Sequence, residues 1–352
     1  MSVPSEIKAL KSTSNKTAEV RTVPTPKLRD DYALIKVHAV ALNPTDWKHV
    51  VYIPSDGATV GCDLAGTVVK VGPKVTKSLK EGDRITGFTH GVNSGEHEDG
   101  AFGDYAVIKG DLATKIPDNL SFEEASTLGV GISTVGQGLY QSLKLTLPGE
   151  GSGNGEHLLV YGGSTATGTL AIQFAKLSGY KVLSANSPHN DSLVKSLGAE
   201  KTFNYKDADV GKQIHDYTGG KLTKVFDTIS EGDSPKISAE AIGDQAGKIS
   251  FLLQVGRDKV PNEKIEIQTT LAYSIVGEGF KFGPQQIDFP ANPADYEFGK
   301  KFWALTEKLL AEGKIKTHPA DVREGPIEKI PEGLKDLQEG KVSGKKIVYK
   351  LA

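Results

Sequence analysis

Cysteine is almost missing from this 352-residue chain, Cys62 being the only one. That excludes an intrachain disulfide and any four-cysteine zinc site, and a catalytic zinc would have to draw on His, Asp, Glu and one thiol. Net charge is nearly missing too, at a formal -2, which leaves no electrostatic case for nucleic acid or an anionic membrane as partner. No apolar run is long enough to span a bilayer, and residues 1–16 have no apolar core of signal-peptide length, so the expected location is the cytoplasm. No repeat of solenoid period is visible. What is present is ordinary for a soluble fold, 38% hydrophobic and 24% charged residues, in a chain too long for one hydrophobic core. Two domains are expected.

Short β-rich pieces at 32–41, 66–71, 83–88 and 102–109, separated by Gly, Pro and Asp, predict a distorted antiparallel barrel. From His157 the pattern changes to apolar runs alternating with helical segments, which predicts a parallel, doubly wound α/β sheet. Its first strand is 158–161, followed by a Gly-rich turn and a helix over 169–178 that Gly179 closes with a left-handed cap. Further strands are expected at 181–185, 224–229 and 248–255, a helix at 296–312, and a last strand at 345–351 that rejoins the first domain.

The turn Tyr161-Gly162-Gly163-Ser164-Thr165-Ala166-Thr167-Gly168 lies between a buried strand and a helix. Such a turn needs glycine for its dihedrals, and the helix start offers unpaired N–H groups to a pyrophosphate, with hydroxyls from Ser164, Thr165 and Thr167 beside them. A dinucleotide site is expected. NAD-selective sites commonly end the second strand on an acid that holds the ribose hydroxyls. Here the run is Ala185-Asn186-Ser187-Pro188-His189-Asn190, with Asp191 later and free to face solvent. Neutral hydroxyl, amide and imidazole groups suit a 2′-phosphate, and Tyr205-Lys206 would complete the pocket. An ordinary turn with Ser187 or Asn190 as helix cap is the other reading. The missing acid favours NADPH.

Asn43-Pro44-Thr45-Asp46-Trp47-Lys48, Gly61-Cys62-Asp63-Leu64-Ala65-Gly66, Glu81-Gly82-Asp83-Arg84, Gly100-Ala101-Phe102, the Tyr161–Gly168 turn and Ser187 to Asn190 together resemble zinc-free medium-chain dehydrogenases/reductases. Among these, the chain is most similar to the fungal trans-acting enoyl reductases that partner polyketide synthases and to their toxin-cluster relatives. The resemblance implies a barrel-like (GroES-like) catalytic domain over 1–127 and 297–352, a Rossmann domain over 128–296, and a nicotinamide in the cleft between them. On matching positions, Thr45, Asp46, Trp47 and Lys48 would line the nicotinamide side, and Ser164, Thr165, Ala166 and Thr167 would hold the pyrophosphate. Ser187, His189, Asn190 and Tyr205 would surround the 2′-phosphate. Leu252 and Leu253 would flank the nicotinamide, and Val342 and Ser343 would close the site. Val135, Gly136, Leu139 and Tyr140, with Val276, Gly277 and Phe280, would face substrate. Where zinc-dependent relatives carry a ligand Cys this chain has Asn43, and for their Gly-His-Glu it has Gly61-Cys62-Asp63, so no metal is expected.

Other signals read as structural. The stretch from His90 to Asp99 reads as a solvated loop, 148–156 as a flexible surface loop, Gly129 to Gly138 as a tight helix beside the cofactor, Lys345-Lys346 as a solvated strand end, and Cys62 as a core residue. The function expected is transfer of hydride from NADPH to the β-carbon of an enoyl or enone group, with a proton added at the α-carbon; Lys48 would hydrogen-bond the substrate carbonyl or the nicotinamide ribose, a solvated lysine being the other reading. The substrate is a small molecule or carrier-bound, with a polyketide synthase as partner in the second case. Quinone, enone or carbonyl reduction, and non-catalytic NADPH binding, are the alternatives. Pro284, Pro290 and Pro293 in the 279–296 segment would hinder sheet-edge pairing, which favours a monomer over a homodimer.

Overall fold

The structure, a computed structural model, describes Val3 to Leu351. The chain divides into two units, one formed by residues 1–133 with 273–352 and the other by residues 134–272.

The first unit opens with an antiparallel hairpin, β1 (Glu6–Ser12) and β2 (Ala18–Pro24), closed over Thr13 to Thr17, where the two hydroxyls meet at 2.8 Å. Sequence reading had no strand before residue 32; the alternation here is carried by one short row, Ile7, Ala9 and Lys11. The long strand β3 (Tyr32–Ala41) leads into α1 (Pro44–Tyr52), followed by β4 (Asp63–Val71), β5 (Arg84–Phe88), β6 (Tyr105–Lys109) and β7 (Ala113–Lys115). Helices α2 (Phe122–Ser126) and α3 (Gly129–Val135), then a π-helical turn over Gly136–Ser142, carry the chain out of this unit.

In the second unit β8 (His157–Tyr161) is followed by α4 (Ala166–Leu177), β9 (Lys181–Asn186), α5 (Asp191–Leu197), β10 (Ala199–Asn204), α6 (Val210–Tyr217), β11 (Lys224–Asp227), α7 (Ser234–Ile242), β12 (Gly247–Phe251) and β13 (Ile265–Thr269). The six strands are parallel, in the order β10-β9-β8-β11-β12-β13. The winding therefore reverses between β8 and β11, the place where such sheets bind ligands outside their carboxyl ends. Tyr161, Ala185, Asp227 and Phe251 stand in one register row there. Gly179 closes α4 at φ +83°, as its sequence position predicts.

Back in the first unit, a second hairpin, β14 (Phe280–Phe282) and β15 (Ile287–Phe289), precedes α8 (Pro293–Ala311), β16 (Ala320–Arg323), α9 (Ile330–Gln338) and β17 (Lys346–Lys350). The main sheet runs β16-β17-β3-β4-β5-β7, with β6 on β3, so β3 is paired to β17, β4 and β6 and forms its backbone. Leu10, Ile35, Leu42, Leu64, Ile85 and Phe102 bury completely in the core beside it.

One interior contact corrects the sequence reading. Lys345 is exposed, but Lys346 is 4% exposed and its ammonium lies 2.5 Å from the carboxylate of Asp63, which is wholly buried. The same carboxylate accepts Asn43 Nδ2–H at 2.9 Å and the Val130 backbone N–H at the start of α3, while Lys346 also donates to the Thr127 carbonyl at 3.2 Å. An anion at a helix start is favoured by the helix dipole. Gly129 is required next to it, because a Cβ there would sit 2.0 Å from Asp63 Oδ1. Asp46, at the third position of α1, closes a capping box by accepting the Asn43 N–H at 2.7 Å. Burial pushes the Asp46 carboxyl up to about 7, with the charge of Asp63 adding to it and the Asn43 N–H opposing it.

Two outcomes are expected. Lys346→Met strands a buried carboxylate and should lower the stability of the first unit by about 3–5 kcal/mol, and Asp63→Asn added to it should recover part of the loss. Denaturant unfolding read by tryptophan fluorescence measures this unit, since Trp47 and Trp303 both belong to it. For Asp46, the folded state holds a proton that the unfolded state releases above its ordinary value of 3.8, so this carboxyl favours folding least at high pH. The unfolding free energy of the parent, less that of Asp46→Asn, should fall as pH rises from about 4 to about 7. A flat difference across that window would show that Asp46 is not buried as a neutral acid.

Candidate active site

In the second unit, the turn after β8 is shaped by Gly162, at φ +78°, with Thr228 packed where a Cβ would go. Thr228 Oγ1 donates to the Tyr161 carbonyl at 2.8 Å and meets Thr165 Oγ1 at 3.1 Å. Thr165 in turn caps α4 by accepting the Gly168 N–H at 2.8 Å. Its hydroxyl is thus spent on the turn, and the half-buried Ser164, Ala166 and Thr167 are left around a helix start whose first N–H groups have no acceptor within the helix. Sequence reading missed Thr228, which locks this turn from the neighbouring strand.

Beyond β9, Ser187 is half-buried, His189 exposed and Asn190 buried in a short 3-10 turn. Tyr205 and Lys206 are exposed after β10. Asn186 pairs with Asn204 in the parallel register, which brings the residues that follow, Ser187 and Tyr205, to one corner of the sheet. Asp191 does not face this corner as a free acid. It accepts from Asn186 Nδ2 at 2.8 Å and from Thr202 Oγ1 at 2.9 Å. The expected solvent-facing acid is a structural brace, and the corner keeps hydroxyl, amide and imidazole groups.

Leu252 and Leu253, both half-buried, lie beyond the end of β12, which is shorter than the predicted strand. The Leu252 N–H is held by Ser230 Oγ at 2.8 Å, and Ser230 belongs to a tight loop whose N–H groups cap the buried Asp227. Val135, Gly136, Leu139 and Tyr140 are all buried. The Tyr140 hydroxyl is bonded to Ser178 Oγ at 2.9 Å, packing this segment on α4.

In the first unit, the capping box and Pro44 set the direction of α1. Asp46 and His49 point inward, and Thr45, Trp47 and Lys48 are half-buried. Lys48 Nζ stands 5.7 Å from the Trp47 ring centroid. Trp47 and Val342, both half-buried, pack against the same core of the first unit, and Ser343 is exposed.

Thr45 also opens a polar cluster that sequence reading missed. The buried His49 Nδ1 faces the Gly91 carbonyl at 3.0 Å, so it must carry the proton, and burial holds the ring down to about 4, hence neutral. Its Nε2 is then an acceptor, 3.0 Å from Thr45 Oγ1, which itself meets Tyr273 Oη at 2.7 Å. His90 stacks on Tyr273 at 3.9 Å and Phe280 stands edge-on to His90 at 5.3 Å. The supposed solvated loop is therefore anchored at both ends: His90, Val92, Asn93 and Asp99 are buried, and Asp99 is paired to Arg29. Glu278 fixes the segment holding Val276, Gly277 and Phe280 by accepting from Tyr32 Oη at 2.9 Å and from Lys109 Nζ.

The residues at the ligand positions of zinc-dependent relatives do not fit a metal. Asp63 is consumed by Lys346, Asn43 and α3, and the buried Cys62 thiol lies 3.8 Å from Tyr273 Oη. Among the described residues, no group of three or more His, Cys, Asp or Glu is arranged to hold a metal ion.

Residues 29–118 match the alcohol dehydrogenase GroES-like domain, and 166–282 the domain described as zinc-binding dehydrogenase. The chain is 48% identical over 346 residues to the trans-enoyl reductase ACTTS2 of Alternaria alternata, covering 98% of each chain. It is 43% identical to the trans-enoyl reductase resD of Aspergillus sclerotiorum, covering 95% of this chain and 97% of that one. Among solved structures, that of the CurK enoyl reductase superposes with a TM-score of 0.76 at 19% identity, covering 99% of this chain and all of the other, which speaks for the fold. The glycine turn, the capped 43–48 helix start and this likeness along nearly its whole length make the chain a member of the medium-chain dehydrogenases/reductases, in the company of the fungal trans-enoyl reductases.

Proposed function

We propose that this protein is an NADPH-dependent, metal-independent reductase of an activated C=C bond in a carrier-bound enoyl chain, working in trans with a polyketide synthase. The observation that carries the reading is the 48% identity, end to end, with a trans-enoyl reductase. The bound cofactor supplies the hydride that adds to the β-carbon, and the α-carbon takes up a proton. The start of α4, with Ser164, Thr165, Ala166 and Thr167, holds the pyrophosphate. Ser187, His189, Asn190, Tyr205 and Lys206 hold the 2′-phosphate, where no free acid repels it. Leu252, Leu253, Val342 and Ser343 flank the nicotinamide, together with Thr45 and Trp47, and Val135, Gly136, Leu139, Tyr140, Val276, Gly277 and Phe280 shape the substrate site.

Lys48 donates a hydrogen bond to the thioester carbonyl and so stabilises the enolate formed as hydride arrives. Asp46 acts through the helix: buried and bonded to Asn43, it fixes the start of α1 and with it the direction of Thr45 and Lys48. The test is NADPH oxidation across enoyl thioesters, free enones and quinones. Turnover of enoyl thioesters is expected, and binding of NADPH with no turnover on any of the three would overturn the reading.

Two variants sharpen it. Lys48→Ala should fold normally and lose turnover by roughly 100-fold, the usual cost of one preorganised donor; near-parent turnover would remove Lys48 from the mechanism. The parent should prefer NADPH over NADH in kcat/KM by at least about 100-fold, since two charge-assisted bonds to the phosphate are worth about 3 kcal/mol or more. Ser187→Asp should lower that ratio, by repelling the phosphate and accepting the ribose hydroxyls. An unchanged ratio would mean that this turn does not hold the phosphate.

A further inference from the structure

A cavity of about 220 Å³ lies under the N-terminal hairpin. Alternation along β1 sends Ile7, Ala9 and Lys11 to one face, and all three line it, with Val23 and Pro24 of β2, Pro26 and Tyr105. Lys11 thus stands where the pattern calls for an apolar side chain, and it is only 7% exposed. Its ammonium has three protons and two acceptors in the fold, Thr59 Oγ1 at 2.7 Å and the His97 carbonyl at 3.2 Å. Thr59 spends its own proton on the same carbonyl at 3.0 Å, so it cannot change roles.

No described carboxylate forms an ion pair with Lys11. Glu98, the one acidic residue lining the cavity, accepts the Lys27 backbone N–H at 2.9 Å. Of the other titratable groups there, Arg21 is paired with Glu19 and Asp56, and His97 Nε2 is bonded to Ser55 Oγ at 3.0 Å. Burial lowers the affinity of Lys11 for its proton, with Glu98 opposing and Arg21 adding to the effect. A buried cation without a counter-ion, at the end of a largely apolar cavity, is costly unless an anion completes it. A cavity of roughly 150 Å³ is enough for benzene. This one has room for a body of that size and a carboxylate as well.

We propose that this cavity binds a small monocarboxylate with a short apolar body, its carboxylate on the Lys11 ammonium and its body against Ile7, Ala9, Val23 and Tyr105. The site lies wholly within the first unit and is independent of the reductase reading. Hexanoate is the probe, with hexan-1-ol and hexylamine as controls, followed by thermal unfolding and by carbon-13 spectra of lysine-labelled protein. Hexanoate alone should raise Tm saturably and move one lysine Cε resonance, one that is missing from Lys11→Met. That variant should bind hexanoate at least about tenfold more weakly. Saturating NADPH should leave the response in place. Equal stabilisation by hexan-1-ol, no moving lysine resonance, undiminished binding by Lys11→Met, or loss of the response with NADPH would each overturn the proposal. Should Lys11→Met fail to fold, the spectra of the parent protein decide alone.

Discussion

The Lys346 ammonium and the Asp63 carboxylate meet in the interior of the first unit, and five pieces of chain take their positions from that pair. They are β4 and β17, which carry the two charges, the Asn43 cap of α1, the end of α2 at Thr127 and the start of α3 at Val130. Two charges withdrawn from water are tolerable only when every lone pair and proton near them is used. Here Asp63 accepts from three groups, and Asn43, one of them, belongs to the capping box that sets the direction of α1. The 45–48 turn and the 342–343 segment therefore take their place from the same interior contact, one through Asn43 and the other through Lys346.

That contact also says why the positions of zinc ligands in related dehydrogenases have become structural. Asp63 accepts from Asn43 and from Lys346, and Cys62, the residue before it, is a buried thiol 3.8 Å from Tyr273 Oη. With Asp63 and Asn43 held by these bonds, neither is left to coordinate an ion.

Features governed by local chemistry were legible in the sequence. The glycine turn after β8, the left-handed cap at Gly179, the long strand at Tyr32–Ala41 and the parallel order of elements after His157 follow from residue type and spacing within a few residues. What escaped was set by partners far along the chain. Lys346 looked solvated because it stands in a basic pair at a strand end, and its burial depends on Asp63, 283 residues away. His90 lay in a stretch rich in Gly and acids, and Tyr273 and Phe280, far along the chain, pack around it in the interior. Asp191 read as a free acid because nothing near it in sequence shows that Thr202, across a parallel strand pair, takes its second oxygen. The hairpin β1–β2 escaped because its inward row is short and includes a lysine.

The discontinuity of the first unit bears on how the chain acquires its structure. β17 pairs with β3 through Val348 and Ala41, so the main sheet joins segments made before and after the whole of residues 134–272. On a growing chain, the six parallel strands are all available while β17 is still unmade. Until it arrives, the Ala39–Ala41 end of β3 lacks its partner while β6 holds the other end, and Asp63 lacks its counter-ion, so a short strand edge and an unpaired carboxylate are exposed together. β17, made after the whole of residues 134–272, is thus the strand that brings Asp63 its counter-ion.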